Sequence, residues 1–303
     1  MEKYLKGPVR STADYSDKTG EAFVHTYRIW DGVFVSANTI NKKQIVHKGK
    51  MPVEACFLNC CLDGRCEVNL GDRYVYVEKG MISLNRQLPN DGYYYPGSLY
   101  KGVEIVLFPE IMEKCALDEL ELKSGLVNFG VSGSGDYIGT LSERMLSVCE
   151  ETYEGICAKT LSVEELRYFC IDILYRLMHG EVKEFSGKAY VSKGQRSIAR
   201  LVEQKLCEDL GRRVTARIIS DELGMAESTI KKYFEAVYGA NISDYVRNKR
   251  MEQAKRLLTD SEENIGSIAI LCGYNNQSKF GSVFKKETGC TPFEYRCQRK
   301  VGR

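Results

Sequence analysis

Cys56, Cys60, Cys61 and Cys66 form the densest group of side chains in the chain that could act as nucleophiles or metal ligands. Thiolate zinc sites use paired C-x-x-C spacings, which this stretch lacks. Its alternation with Phe57, Leu58 and Leu62 predicts a buried strand in which the cysteines pack as small hydrophobes. The histidines offer no alternative centre: only His25, His47 and His179 exist, with no H-x-H pair, so a ligand set for catalytic metal chemistry is not supported. No catalytic residue, metal ligand or cofactor is assigned, and the chain is not expected to be an enzyme. A different chemistry is suggested by two short polar and basic runs near the C-terminus. These are Ser228, Thr229, Lys231 and Lys232, and Asn276, Gln277, Ser278, Lys279, Ser282 and Lys285, with Arg250 between them as a further candidate for DNA contact. On an exposed helix, such side chains suit base edges and phosphates in a DNA major groove, and a glutamine such as Gln277 can bond adenine in bidentate fashion.

What must position these runs is an internal repeat. GMAESTIKKYFEAVYGANISDY from Gly224 and GYNNQSKFGSVFKKETGCTPFEY from Gly273 match in kind. Ser228 pairs with Ser278, Ile230 with Phe280, Phe234 with Phe284, Gly239 with Gly289 and Tyr245 with Tyr295, all at an offset of 50. Each copy follows an apolar helical segment, so the unit is helix, glycine turn, helix, twice. The glycine after the first helix supplies a left-handed conformation for a sharp turn. Phe280 and Phe284 lie four apart and face the core, which turns Asn276, Gln277, Lys279 and Ser282 outward. Each copy then enters another helix through a cap: Thr291 with Pro292 and Glu294, and Asn241 with Asp244. Between the copies, Ser243 to Leu258 contains no Gly or Pro and predicts one connecting helix carrying Arg247, Lys249, Arg250, Lys255 and Arg256. A helix of ~16 residues spans about 24 Å and holds two recognition helices near the ~34 Å that separates successive major-groove faces.

Upstream the periodicity changes. To about residue 110 short period-two runs alternate with turn signals, which predicts an antiparallel barrel or sandwich. Hairpins are expected at Asp31-Gly32 and Asp63-Gly64, with further strands at Arg73–Val77, Met81–Asn85 and Gly102–Phe108. From 111 to 193 two helices are expected, at roughly 137–153 and 162–180. The second opens on a capping box, Ser162 with Glu165. Leu166, Phe169, Cys170, Ile173, Leu174 and Leu177 form its apolar stripe, either packed on the β-domain or paired in a dimer. Gly180 to Gly194 is expected to be a linker.

The chain has 303 residues, 43% hydrophobic and 28% charged, a composition that excludes disorder and allows two or three domains. Its net charge of +2 hides an asymmetry, with +6 from 194 to 303 and −4 before it. Only the C-terminal third is therefore suited to a polyanion. No run reaches the ~20 apolar residues of a membrane span. The N-terminus shows no secretion signal, so no membrane is expected and a cytoplasmic location is.

Asn264 to Arg296, NIGSIAILCGYNNQSKFGSVFKKETGCTPFEYR, resembles the second helix-turn-helix and signature region of AraC/XylS-type bacterial transcriptional regulators. Val214-Thr215 leading into IISDELGM, and Tyr245, Arg250, Ala254 and Leu257-Leu258, resemble the first unit and its linker. The resemblance covers roughly 195–299. It implies a two-headed DNA-binding domain, preceded in many members by a cupin-like sensor barrel and a helical dimerisation segment. The expected architecture is α+β and multidomain: a cupin-like antiparallel β-barrel over 1–110, a helical dimerisation segment over 111–193, and an all-α domain with two helix-turn-helix units over 194–303. Double-stranded DNA, a second copy of the chain, a small-molecule effector and RNA polymerase are the partners this implies. Gly281 and Ser282 stand where larger polar or basic residues are common, so the second unit is expected to lean on phosphate contacts from Lys279, Lys285 and Lys286. Trp30, Arg86, Tyr93 and Tyr95 are the candidates for contacting an effector, aromatic walls with a few oriented polar groups being the usual make-up of such sites. Two alternatives remain open: a regulator without an effector or responding to thiol oxidation, and a DNA-repair enzyme with a helix-turn-helix tail, which needs an activated cysteine.

Overall fold

The computed structural model describes residues 9–46, 55–70, 73–85, 92–109, 112, 137–185, 190–212 and 214–301, with side chains as far as 298. The chain divides into two compact units, Met1–Tyr190 and Val191–Arg303.

The first unit is built on antiparallel strands. Among the described residues they are β1 (Arg10–Asp14), β2 (Glu21–Trp30), β3 (Val33–Asn41), β4 (Gln44–Ile45), β5 (Cys56–Asn69), β6 (Arg73–Glu78), β7 (Met81–Asn85), β8 (Tyr93–Tyr94), β9 (Tyr100–Leu107), β10 (Tyr137–Thr140) and β11 (Lys183–Glu184). The main sheet runs β1-β2-β3-β9-β5-β7-β10-β11, with β6 beside the distal half of β5, while β4 and β8 form a separate ribbon. The Asp31-Gly32 hairpin forms as expected, pairing Trp30 with Val33. The Asp63-Gly64 hairpin does not. Asp63 and Gly64 lie inside the single strand β5, which shifts register against β9 between Cys61 and Asp63 and crosses from β9 and β7 to β6. Gly64 supplies a positive φ of 76° there. A D-G pair is thus consumed in a bulge that bends one long strand, because tertiary pairing with Tyr100 and Leu99 outweighs the local turn preference.

Two helices cover one face of this sheet, α1 (Glu143–Ala158) and α2 (Val163–Met178). Residues 137–140, expected to begin a helix, instead form β10 on the edge of β7. Helix α1 starts only where Ser142 can cap the Met145 amide. The Ser162–Glu165 capping box of α2 is present in full. The α2 stripe from Leu166 to Leu177 is buried with Val35, Leu58, Ile105 and other sheet residues in one core. Packing on the sheet therefore consumes the stripe, which is not available as a surface for pairing two copies. The Tyr153 hydroxyl meets Thr39 at 2.6 Å, and Arg167 donates to the Ile29 carbonyl at 2.8 Å, tying both helices to the sheet. The segment expected to be a linker contributes β11 to the sheet edge at Lys183–Glu184. It also reaches into the next helix, because a capping box of Ser192 and Gln195 starts that helix before Gly194.

The second unit is helical: α3 (Lys193–Cys207), α4 (Ala216–Leu223), α5 (Glu227–Tyr238), α6 (Ile242–Asp260), α7 (Ile265–Leu271), α8 (Gln277–Thr288) and α9 (Pro292–Val301). The connecting helix predicted from Ser243 to Leu258 is α6, uninterrupted over 19 residues. None of the described helices is long and apolar enough to cross a membrane.

Candidate nucleic-acid interface

The internal repeat reappears as geometry. Phe234 and Tyr245 meet edge to face at 5.1 Å and 83°, and their counterparts Phe284 and Tyr295 at 5.4 Å and 82°. Gly239 and Gly289 end α5 and α8 in the left-handed conformation, each donating to the carbonyl four residues back at 2.8 Å. Asn241 caps the next helix of the first copy. Thr291 and Glu294 close a reciprocal box at the corresponding start of α9. Ile230, Phe234, Phe280 and Phe284 are all fully buried. Because α5 and α8 are thereby pinned by their apolar faces, their polar faces must look outward.

On α5, Ser228, Lys231 and Lys232 are exposed and Thr229 is half-buried. Lys231 is held by Glu227 at 2.6 Å, one turn away, an exposed pair of little intrinsic strength. On α8, Gln277, Ser278, Lys279, Ser282 and Lys285 are exposed. Asn276 is the N-cap of that helix, its Oδ1 accepting the Lys279 amide at 2.7 Å, and the Ser282 hydroxyl bonds the Ser278 carbonyl. Arg250 is also engaged within the unit. Its guanidinium donates to the carbonyls of Leu210 at 3.1 Å and Arg212 at 3.4 Å and lies over the Tyr274 ring. It fastens the stretch between α3 and α4 to the glycine turn of the second copy.

Between the two copies lies a cleft of about 870 Å³, lined on one side by Arg217, Glu227 and Lys231 and on the other by Asn276 and Lys279, with Arg247 along α6. Arg247 also reaches Glu287 of α8 at 3.6 Å. Arg217 was not singled out from the sequence. Its signal was available, a basic residue at the second position of a helix whose first turn faces the partner helix-turn-helix. Also missed was the buried bond from the Tyr245 hydroxyl to Glu203 at 3.0 Å, which joins α6 to α3.

Of the four candidates for effector contact, the three described ones fall in two places. Tyr93 and Tyr95 enter a cluster with Tyr100, the Tyr95 and Tyr100 rings being 5.2 Å apart. Trp30 packs on the helix-covered side of the sheet, under the Arg167 guanidinium. Arg86 lies outside the described residues, as does His47. His25 accepts or donates a bond with Thr12, and His179 stacks on Tyr175. The cysteine cluster is buried in β5, as its alternation predicts. Burial pushes the Cys61 thiol up to about 12, and the thiols of Cys60, beside Cys149, and Cys66 are raised well above their ordinary value. Thiolate is the reactive form, and burial disfavours it at all three.

A fold of two helix-turn-helix units on one connecting helix, with paired polar faces, defines a class of DNA-binding domain. Residues 219–298 match the family of helix-turn-helix domains, within the stretch whose sequence resembles AraC/XylS-type regulators. The chain is similar to the HTH-type transcriptional activator RhaR of Mannheimia succiniciproducens, 38% identical over 72 residues, 24% of this chain and 26% of that protein. It is also similar to RhaR of Yersinia pestis bv. Antiqua (strain Angola), 40% identical over 72 residues, 24% and 25% of the two chains. It thus spans about a quarter of the length of the curated relatives it matches. Among solved structures, the C-terminal domain of AraT, a response regulator from Geobacillus stearothermophilus, is 27% identical with a TM-score of 0.33, covering 34% of this chain and 85% of that one.

Proposed function

We propose that the protein is a transcriptional regulator. It binds double-stranded DNA in a sequence-specific manner through α5 and α8 and takes its signal as a small molecule in the N-terminal β-unit, a cupin-like sensor. The observation that carries this reading is the repeated core. The same ring pairs, glycine caps and N-caps fix two helices whose remaining faces are short, polar and basic. Identity of 38–40% with transcriptional activators over this region supports regulation as the purpose of the binding. Ser228, Thr229, Lys231 and Lys232 are the readers of the first unit. Gln277, Ser278, Lys279, Ser282 and Lys285 are those of the second, with Asn276 setting the start of its helix. A homodimer belongs to the same reading. Its contact surface is the face of α2 opposite the buried stripe, where Tyr168 is 75% and Tyr175 49% exposed. The protein works in the cytoplasm, where RNA polymerase is its natural downstream partner.

The test is a selection of operator DNA with the purified protein, followed by salt titration of the best site with wild type and with Lys231→Ala/Lys232→Ala. Wild type is expected to select two short blocks about one helical turn apart. Removing two phosphate-reaching charges is expected to weaken binding and to lower the slope of log K against log salt by about 1.8. An unchanged affinity and slope would remove the first unit from the interface.

A further inference from the structure

The register of the N-terminal sheet lines up a row of polar side chains that composition alone conceals. Across neighbouring strands, Thr26 of β2 is opposite Ser36 of β3, Ser36 opposite Glu104 of β9, Glu104 opposite Asn59 of β5, and Asn59 opposite Ser83 of β7. Residues directly opposite one another share a face, so these five project from the same side. It is the side away from α1 and α2, because the alternate residues Val103, Ile105 and Leu107 of β9 enter the helix-covered core. Asn38, two residues along β3 from Ser36, joins the row by donating to Glu104. The Tyr100 hydroxyl joins it by donating to Asn59. Gly102 lies between Tyr100 and Glu104 on β9, where any side chain would overlap the Tyr100 hydroxyl.

Glu104 is the one acidic side chain in this row of neutral hydroxyls and amides. Asn38 Oδ1 and Ser83 Oγ are buried without a hydrogen-bond partner among the described residues, Asn38 being 8% exposed and Ser83 not at all. A buried polar group left unpaired is destabilising, and an unpaired carboxylate more so. Among the described residues no cation bonds Glu104. Arg28 on the adjoining strand is turned to Asp31, and Arg65 faces Glu78. The groups around the carboxyl are the neutral Asn38, Tyr93, Tyr95, Tyr100 and Cys66, and it weighs on the ionisation of the last four. Burial pushes the Glu104 carboxyl up to about 7. Glu104 is nevertheless only half-buried, so the row is not sealed from solvent.

We propose that Glu104 and Asn38 form the recognition end of a binding site for a small organic cation, an ammonium compound whose N–H groups meet the carboxylate and the unpaired Asn38 Oδ1, while the Ser83 hydroxyl, two strands further along the row, meets a second polar group of the same ligand. Tyr93, Tyr95 and Tyr100 flank the site. The cation supplies what the row lacks among the described residues, a positive charge. The inference rests on the sensing role proposed for this unit and narrows it to a ligand class.

The test uses the full chain and matched probes: benzylamine, benzyl alcohol and benzoate, and putrescine, 1,4-butanediol and succinate. Calorimetric titration and thermal unfolding are run on wild type, Glu104→Gln and Ser83→Ala. An amine is expected to bind wild type about ten-fold or more tightly than its alcohol or carboxylate counterpart. Glu104→Gln is expected to lose that advantage while unfolding cooperatively at a temperature no lower than wild type. Ser83→Ala, which leaves the charge in place and guards against a misfolded glutamine variant, is expected to weaken putrescine about three-fold. Equal or tighter binding of an alcohol or carboxylate, or amine affinity unchanged in both variants, overturns the inference. A low-molecular-weight extract of the host cells is measured in parallel. Stabilisation by the extract but by no amine discards the cation and keeps the sensor, and stabilisation by neither discards both.

Discussion

Gln277 stands at the first position of α8, exposed, with Asn276 beside it engaged as the cap. An amide at a helix N-terminus that reaches base edges is worth about 1–3 kcal/mol of discrimination at one base pair. Gln277→Ala is therefore expected to relax preference at a single operator position, checked by binding to a set of single-substituted sites. A uniform loss on all of them would assign Gln277 to the phosphates instead. Arg250 carries a packing duty that its residue type alone does not reveal. The sequence places it among basic residues of a connecting helix and suggests DNA. In the folded unit its guanidinium is bound by two backbone carbonyls and a tyrosine ring. Asn276 is a milder case, since its side chain acts on the helix start whatever it does at DNA.

The two copies of the helix-turn-helix are alike in plan and differ in tolerance at their turns. Gly224 and Gly273 both adopt positive φ, 60° and 76°. A Cβ at Gly224 meets nothing within 4 Å, whereas one at Gly273 would stand 2.5 Å from the Arg250 guanidinium and from the Leu210 carbonyl. Gly224→Ala is expected to cost about 1 kcal/mol, the left-handed penalty alone. Gly273→Ala adds a steric clash and is expected to cost roughly 3 kcal/mol, with Arg250 displaced. Denaturant unfolding followed by helical circular dichroism checks both, and equal costs would show that the Arg250 fastening yields easily. At the same scale, the D-G pair inside β5 and the strand at Tyr137–Thr140 show tertiary pairing overriding local propensity.

At the scale of the whole molecule, each unit has its own core and its own business. In the C-terminal unit, α6 is one helix of 19 residues, about 28 Å long, and it connects the two helix-turn-helix copies that carry α5 and α8. An operator with about 5 base pairs inserted between its two blocks turns the second block to the opposite side of the duplex. Binding to it is expected to fall to the level of a single block, while an insertion of about 10 base pairs is expected to restore part of the loss only if the cleft between the copies can open. Electrophoretic titration of the three operators decides this. Equal affinity for all of them would mean that one unit alone engages DNA.

The sequence by itself determined the C-terminal unit almost completely. Its information is local and repeated: a helix period, caps, turn glycines and the 50-residue offset are each properties of neighbouring residues, and the second copy checks the first. It also determined that the β5 cysteines are buried, because alternation marks a face. What it could not determine was which residues stand opposite each other across strands. Thr26, Ser36, Asn59, Ser83 and Glu104 are scattered over almost eighty positions, and only the register of five strands makes them a row. The same holds for the fate of the α2 stripe. An apolar face demands a partner, and the sheet that supplies it comes from earlier segments of the chain, so only the tertiary structure decided between a core and a second copy.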